Sequence, residues 1–495
     1  MEERNYEYIF EKGDNVQFSV IDYVVFAITL GLSASIGLFY AIKDRRSQDT
    51  EDFLLGGRSL HVIPVSLSLL SSFISAITLL GTPAEVYRYN TMYWWVSVAF
   101  VVTGIGSAHI FIPVFYNLGV TSIFEYVELR FGRLTRIVSS VLYLIWMLLY
   151  MAIVLYGPSL ALNAVTGISL WGSIIAVSLV CIFYTTLGNM DEFTGHDSYY
   201  NFSVSCWCCN VRLLQYLIPL FAMDLVGHLH GLPGLILSCV FSGSLSTISS
   251  GLNAASAVIL EDFVKPCCCY GIKPFWATLI SKLTVIIAGL VCLALAFLVS
   301  KIGAILQAAY TLHGILGGPL LGLFTLGMVF PWSNKWGAIT GPVTALGFML
   351  WIGLGAKGVN MSTTIPPTTL AMNTSMTTMD ITDDGSEPFI LYKLSYMWYS
   401  ATAMLTTVIV GLIVSFATGY TKPDTVDPRL ICHIFDVFFP FLPEQIRRPL
   451  RFGVREKQKL MTVTIAEIPV KYTVDDGESE LNDDNTQTRT IEGTQ

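Results

Sequence analysis

Two long apolar stretches of this sequence contain many hydroxyl side chains together with glycine. One covers residues 62–82 and the other covers residues 230–258. In the second stretch, Gly243, Ser246 and Thr247 are three and four positions apart, so they share one face of a helix. One backbone carbonyl and two hydroxyls can therefore point to the same place, and such oxygens bind a small cation where a membrane helix is interrupted. The pattern indicates a sodium site.

The first stretch is expected to complete this site with backbone oxygens. The candidate carbonyls are those of Ser71 and Ile74. A second interpretation needs no ion, because small and hydroxylated residues also allow membrane helices to pack closely, and serine hydroxyls bond back to their own helix. The residue types alone leave both interpretations open.

Covalent chemistry is not indicated by the apolar stretches. They contain no metal-ligand spacing of His and Cys, no phosphate-binding loop and no carboxylate pair at catalytic spacing. We therefore expect neither an enzyme nor a bound cofactor. The formal charge of −8 also argues against a nucleic-acid partner, because phosphate binding needs clustered Lys and Arg.

Membrane helices are the elements that must position these residues. The chain of 495 residues is 53% hydrophobic and 13% charged, whereas soluble domains carry about a quarter charged residues. Crossing the hydrocarbon core of a bilayer, ~30 Å thick, takes about 20 apolar residues in a helix, and barrel strands are shorter and alternate. Stretches of that length predict an all-α polytopic membrane protein in a lipid bilayer. Ten of them are 21–42, 62–82, 94–116, 136–160, 168–187, 230–258, 276–300, 303–330, 336–356 and 395–418.

Basic residues in short loops predict the orientation, because cytoplasmic loops retain Lys and Arg. Residues 43–59 hold four of them and residues 117–136 hold three, which places both loops inside and residues 1–20 outside the cell. The last span, 395–419, is followed by a segment, 420–495, whose first part is basic. This segment is expected to be a cytoplasmic tail, and the plasma membrane is the expected location.

Residues 357–394 then form an extracellular loop. The loop is rich in Ser, Thr and Met and contains two acceptor sequences for N-glycosylation, at Asn360 and Asn373. Only a lumenal or extracellular loop can be glycosylated there. The loop and the basic residues therefore predict the same orientation.

The middle of the chain does not fit this alternation. The first five spans, in residues 21–188, end inside, whereas the next group, in residues 230–356, must begin outside. The atypical segment between them, residues 189–229, offers one poor crossing that contains Arg212 and Asp224. Each intramembrane charge costs about 2.5–3.5 kcal/mol on insertion scales. We therefore expect that part of the pattern is absent or altered here.

Several short strings along the chain are specific. They include Asp52-Phe-Leu-Leu-Gly-Gly-Arg58, Gly81-Thr-Pro-Ala-Glu-Val-Tyr-Arg-Tyr89, Thr121-Ser-Ile-Phe-Glu-Tyr126, Ser242-Gly-Ser-Leu-Ser-Thr247 and Glu261-Asp-Phe-Val-Lys-Pro266. These strings resemble the sodium/solute symporter family, closest to its animal branch of monocarboxylate, iodide and multivitamin transporters. The resemblance is colinear over roughly 20–188 and 218–420 and implies a leucine-transporter-type inverted repeat of five plus five helices with flanking spans.

The resemblance also implies site residues. The sodium site of the family corresponds to the backbone oxygens of Ser71, Ile74 and Gly243 and to the hydroxyls of Ser246 and Thr247. These are the positions indicated above by spacing.

A substrate-facing position of the family corresponds to Thr78 in the first stretch. Phe73 and Tyr87 lie near it in the sequence and are weaker substrate candidates.

One part of the family pattern is absent. After Tyr184-Thr-Thr-Leu-Gly188 the family continues with a Trp-Thr-Asp string and an Asn-Gln-Ser string on two further helices, and then with a third span. This chain contains neither string and resumes the pattern near Leu214-Gln215, about a hundred residues short of a typical member. The predicted fold is therefore incomplete in the middle.

These observations predict sodium-coupled symport of a small organic anion, either monocarboxylate-like or vitamin-like, with iodide left open. Sodium would be the co-transported ligand, and no cofactor would be consumed. The alternative is a transport-inactive truncated paralogue or splice form that binds or modulates full-length relatives. A homo-oligomer or a hetero-oligomer with related transporters is compatible with either hypothesis.

Overall fold

The protein is represented by a computed structural model that describes thirteen stretches of the chain. They are residues 19–29, 31, 77–78, 81–82, 85–86, 93–120, 122–166, 169–187, 231–268, 274–299, 305–362, 389–439 and 441–451.

Within these stretches the regular structure is helical and contains no strand. Seven helices in the described residues are long and apolar enough to cross a membrane. They are the helices at 95–118, 133–163, 234–264, 276–299, 305–329, 335–356 and 396–417. The helices are α1 (Val20–Thr29), α2 (Trp95–Leu118), α3 (Ile123–Phe131), α4 (Arg133–Thr166), α5 (Leu170–Leu187), α6 (Leu232–Val258), α7 (Pro274–Val299), α8 (Ile305–Val329), α9 (Lys335–Ser362), α10 (Tyr399–Ala417), α11 (Ile434–Phe438) and α12 (Glu444–Leu450).

These seven long helices lie at predicted spans, with ends that differ by a few residues. The predicted span 168–187 is the helix α5. Most of the predicted spans 21–42 and 62–82 lies outside the described residues, as does the atypical segment 189–229. Helix α9 continues to Ser362, beyond the predicted end at residue 356, through a stretch that contains Gly358 but no Pro.

Helices α4, α5, α6 and α7 pack on one another and form the first of two cores. Ile153, Ile174, Leu252 and Ala296, one from each helix, are almost completely buried in it. Each helix is apolar around much of its circumference, so one side contacts this core and the other side is left for lipid. The polar helix α6 is thereby held by three neighbours.

The second core joins helices α8, α9 and α10 to the short helix α3. Tyr126 of α3 is fully buried there, beside Phe324 of α8, with ring centroids 6.1 Å apart. Met349 and Ala403, also fully buried, come from α9 and α10. Glycines bring α9 and α10 into backbone contact, since a Cβ at Gly341 would lie 2.6 Å from the Thr407 carbonyl oxygen.

The variant Gly337→Ala is expected to destabilise the contact between α9 and α10. An added Cβ would overlap the Gly411 carbonyl oxygen and the Ser415 hydroxyl, and a backbone oxygen cannot move aside without shifting its helix. Overpacking of this kind costs about 1–3 kcal/mol. Thermal unfolding in detergent measures the loss. Gly347→Ala is the control on the same helix, because a Cβ there meets open space; equal unfolding temperatures for the two variants would contradict the prediction.

Candidate ion and substrate site

Helix α6 carries the three predicted ion ligands that the structure describes. Thr247 is buried, and its hydroxyl donates a hydrogen bond of 2.9 Å to the Gly243 carbonyl. A hydroxyl that donates once still has two lone pairs to accept or to coordinate. The Gly243 carbonyl lies four residues before Thr247, so it also faces the backbone N–H of the same residue. Coordination of a cation by the Gly243 carbonyl therefore requires the Thr247 hydroxyl to turn.

Neighbouring hydroxyls on α6 bond back to their own helix. Ser250 and Ser249 donate to the Ser246 carbonyl at 2.8 and 3.0 Å, and Ser244 donates to the Val240 carbonyl at 3.0 Å. For these serines the structure shows the arrangement expected from the packing interpretation.

Asn253, one and a half turns beyond Thr247, differs from these serines. Its side-chain oxygen is buried and accepts no hydrogen bond from the described residues. The spacing of polar residues in the sequence gives no distinct signal for it. A buried amide oxygen without a partner is costly, so it marks a position where a ligand or water completes the structure.

The opposite half of the predicted sodium site, Ser71 and Ile74, lies outside the described residues, and so do the substrate candidates Phe73 and Tyr87. Thr78 is described: it is helical and half-buried. The structure therefore brings together the three α6 residues and places Thr78 in a separate helical segment.

Two further polar residues, Thr82 and Glu85, follow Thr78 at spacings of four and seven, as residues on one face of a helix do. Thr82 is fully buried, and among the described residues its hydroxyl has no hydrogen-bond partner. Glu85 is buried as well. Of these three residues, only Thr78 was singled out from the sequence. The spacings of four and seven residues from Thr78 were the sequence signal that could have identified Thr82 and Glu85.

This polar face lies against the first turns of α8. A Cβ on Gly81 would lie 2.7 Å from the Leu306 Cβ, so the two segments are in close contact. The Tyr396 hydroxyl, from the turn before α10, donates a hydrogen bond to Glu85. The ring of Tyr396 lies 6.4 Å from that of Tyr310 in α8. Glu85 is thus linked directly to the turn that precedes α10 and, through Tyr396, to α8.

Tyr396→Phe is expected to loosen this contact, because Glu85 loses the hydroxyl that donates to it. Hydrogen bonds to charged groups contribute about 1.5–3 kcal/mol. The readout is the maleimide labelling rate of Thr82→Cys in the purified protein, which should rise about tenfold or more when Tyr396→Phe is added. Tyr392→Phe, a neighbouring hydroxyl deletion, is the control. Unchanged labelling in the Tyr396→Phe background would contradict the prediction.

A charged cluster lies where α4 begins. Arg136 donates to Asp262 at 2.9 Å from Nε and pairs with Glu128 of α3 at 2.6 Å. Asp262 belongs to a π-helical turn, Ile259–Val264, that continues α6. Its second carboxylate oxygen accepts a hydrogen bond of 2.5 Å from Ser140. The cluster therefore fixes α3 and α4 to the end of the helix that carries Ser246 and Thr247.

A second anchor near this end is Tyr126 of α3. Its hydroxyl donates to the Leu430 carbonyl, in the segment after α10, at 3.1 Å. Complete burial raises the pKa of the Tyr126 hydroxyl, which keeps it protonated and able to donate. The chain after the last span is thereby attached to α3.

Comparison with known proteins identifies the relatives of this arrangement. A family model described as Sodium:solute symporter family matches residues 53–197 and 195–345. Sodium-coupled monocarboxylate transporter 1 of Xenopus laevis is 33% identical over 83% of this chain and 87% of its own. Sodium-dependent multivitamin transporter of Oryctolagus cuniculus is 33% identical over 86% of this chain and 87% of its own.

A solved structure shares the fold. The substrate-bound outward-open state of a Na+-coupled sialic acid symporter superposes with a TM-score of 0.62 at 18% identity, covering 82% of this chain and all of that chain. The predicted class, an all-α polytopic membrane protein with a leucine-transporter-type repeat, is confirmed.

The relatives are longer than this chain within the matched region. The alignment with the Xenopus laevis protein has 544 positions, yet it draws on 83% of 495 residues, which is about 411. Roughly 130 positions of that relative therefore have no counterpart here. The two matches to the family model meet at residues 195–197, next to the point where the family strings are absent.

Proposed function

Because this chain belongs to the sodium:solute symporter family, we propose that it carries a small organic anion across the plasma membrane together with sodium. The observation that carries the proposal is the placement of Ser246 and Thr247 three and four residues after Gly243 on α6, with Thr247 buried. In this proposal sodium binds those two hydroxyls and the carbonyls of Ser71, Ile74 and Gly243.

The anion is proposed to be monocarboxylate-like or vitamin-like, with iodide as the third substrate to test. Support comes from relatives named as sodium-coupled monocarboxylate transporters and a sodium-dependent multivitamin transporter. Thr78 is the proposed substrate contact, with Phe73 and Tyr87 beside it in the sequence. The unpartnered hydroxyl of Thr82, one turn from Thr78, is a further donor available to an anion.

The proposed orientation has the N-terminus outside and the tail in the cytoplasm. The basic loops support it, and so do the acceptor sequences at Asn360 and Asn373. Asn360 lies in the last turn of α9, and Asn373 lies outside the described residues. Glycosidase treatment of protein from mammalian cells tests this: Asn373→Gln should remove a shift in electrophoretic mobility.

The coupling follows from linkage between the two ligands. If sodium stabilises the arrangement that also binds the anion, each ligand raises the affinity of the other by the same factor. A membrane potential of 100 mV adds about 2.3 kcal/mol of driving force for each sodium charge that moves inward.

Uptake measurements test the proposal. Cells that express the chain should accumulate a labelled monocarboxylate, biotin or iodide in sodium medium, and accumulation should fall to the level of untransfected cells when choline replaces sodium. A monocarboxylate relative with all its spans is the positive control. Equal uptake in sodium and choline would contradict the proposal.

A second function is favoured by one observation, the roughly 130 positions of the relative that have no counterpart here. A chain without three helices would act by binding to full-length relatives. Co-expression with a relative separates the two functions: a partner of this kind changes the relative's current and carries no sodium-dependent uptake alone.

A further inference from the structure

The chain returns to the helix bundle after its last span. The backbone N–H of Cys432 donates to the Met328 carbonyl, at the end of α8, at 2.8 Å. A few residues later the ring of Phe438 lies 5.8 Å from the ring of His109 in α2. Residues 433–438 are therefore held against α2. We call residues 433–439 and 441–451 the C-terminal amphipathic segment.

The surface of α2 beside this segment faces lipid. Helix α2 is long and apolar enough to cross the membrane, and most of its residues are not buried by other parts of the protein. His109 itself is exposed. It lies nine residues before Leu118, about 13 Å along the axis at 1.5 Å per residue, so it is within the span and not beyond it. A segment packed beside His109 is at the depth of the bilayer or its interface.

The segment exposes large apolar side chains at this place. Phe441 is 76% exposed, and Phe439 and Ile446 are exposed as well. The rings of Phe439 and Phe441 lie 5.8 Å apart and form one patch. Aromatic side chains of this kind are favourable at the boundary between headgroups and acyl chains, where their apolar surface leaves water.

Positive charge accompanies the apolar patch. Arg447 and Arg451 both pair with Asp436, at 3.3 and 2.7 Å, and both also pair with Glu444, at 3.1 Å. Arg448 between them is exposed. Residues 433–451 hold three Arg against these two acidic residues, an excess of one positive charge in a chain whose net charge is −8. A local excess of positive charge in an acidic protein is complementary to anionic headgroups.

We propose that the C-terminal amphipathic segment is a lipid-binding element that inserts Phe439, Phe441 and Ile446 between acyl chains and binds anionic phospholipid headgroups through Arg448. Arg447 and Arg451 hold the segment in shape through their ion pairs with Asp436 and Glu444. The tail is thereby fastened to the membrane as well as to α2 and α8.

Hydrogen exchange of the full chain in nanodiscs tests the proposal without reference to transport. Peptides from residues 433–451 should exchange about fivefold more slowly in nanodiscs with 30% phosphatidylserine than in pure phosphatidylcholine, the effect of roughly one arginine at an anionic surface. Arg448→Gln should remove that difference. Phe441→Ser should speed exchange in both lipids, and its high exposure makes a folding defect unexpected.

Arg429→Gln is the matched control, because Arg429 is exposed on the same tail but pairs with Asp427 outside the segment. It should leave the lipid dependence intact. Equal exchange in both nanodiscs, as expected for a segment that binds a soluble protein, would overturn the proposal. An equal effect of Arg429→Gln and Arg448→Gln would also overturn it, since overall charge would then be sufficient.

Discussion

Thr247→Ala is expected to raise the sodium concentration needed for half-maximal binding about tenfold or more. The substitution removes one of five proposed oxygen ligands and leaves the Thr247 backbone in α6 unchanged. A loss of about 1.4 kcal/mol in ion binding corresponds to a factor of ten. Ser246→Ala should act in the same direction. Sodium-dependent thermal stabilisation of the purified protein measures the effect, because a ligand that binds the native state stabilises it by mass action.

Thermal stabilisation reports sodium binding directly, so it does not require that the chain transports a substrate. Ser250→Ala is the matched control: it removes a hydroxyl from the same helix, but that hydroxyl donates to the Ser246 carbonyl and is not a proposed ligand. Its sodium dependence should equal that of the unmodified chain. Stabilisation of Thr247→Ala at the original sodium concentration would contradict a role of the Thr247 hydroxyl in sodium binding.

Arg136→Ala is expected to cause the largest loss of stability. It leaves the fully buried carboxylate of Asp262 without its cation, and breaking a buried ion pair from one side costs about 3–5 kcal/mol. The cluster joins α3 and α4 to the end of α6, so the proposed sodium ligands on α6 should lose their position at the same time. The unfolding temperature in detergent is the measurement.

Asp262→Asn in the Arg136→Ala background should recover part of the lost stability, because a neutral amide is less costly to bury than a carboxylate. Arg429→Ala removes an exposed partner of Asp427 and should change the unfolding temperature little. If Arg136→Ala unfolded at the temperature of Arg429→Ala, the cluster would not stabilise the fold.

Helix positions were predictable because hydropathy is a local property of the sequence. A run of about 20 apolar residues has no soluble alternative in which its backbone and side chains are both satisfied, so the spans near 133–163 and 276–299 were expected within a few residues. That Ser246 and Thr247 each lie about one turn beyond Gly243 also follows from helical periodicity. Whether they bind sodium stays a prediction, since Ser71 and Ile74 lie outside the described residues.

Contacts between distant residues were not predictable in this way. Glu85 meets Tyr396 across 311 positions, and Arg136 meets Asp262 across 126. Such pairs depend on which helices pack together and at what rotation, and a single sequence contains no local signal for either. Glu261-Asp-Phe-Val-Lys-Pro266 was recognised as a family string, but the partner of its aspartate became visible only in the packed helices.

Periodicity and hydropathy therefore established a bundle of membrane helices with a polar face on α6, because both act over one or two turns of chain. The packing of the helices decided which side chains are buried. Burial in turn distinguishes a few polar residues from the rest. Thr82 and Asn253 are ordinary polar residues in the sequence. They stand out once neighbouring helices have removed them from solvent without supplying a hydrogen bond.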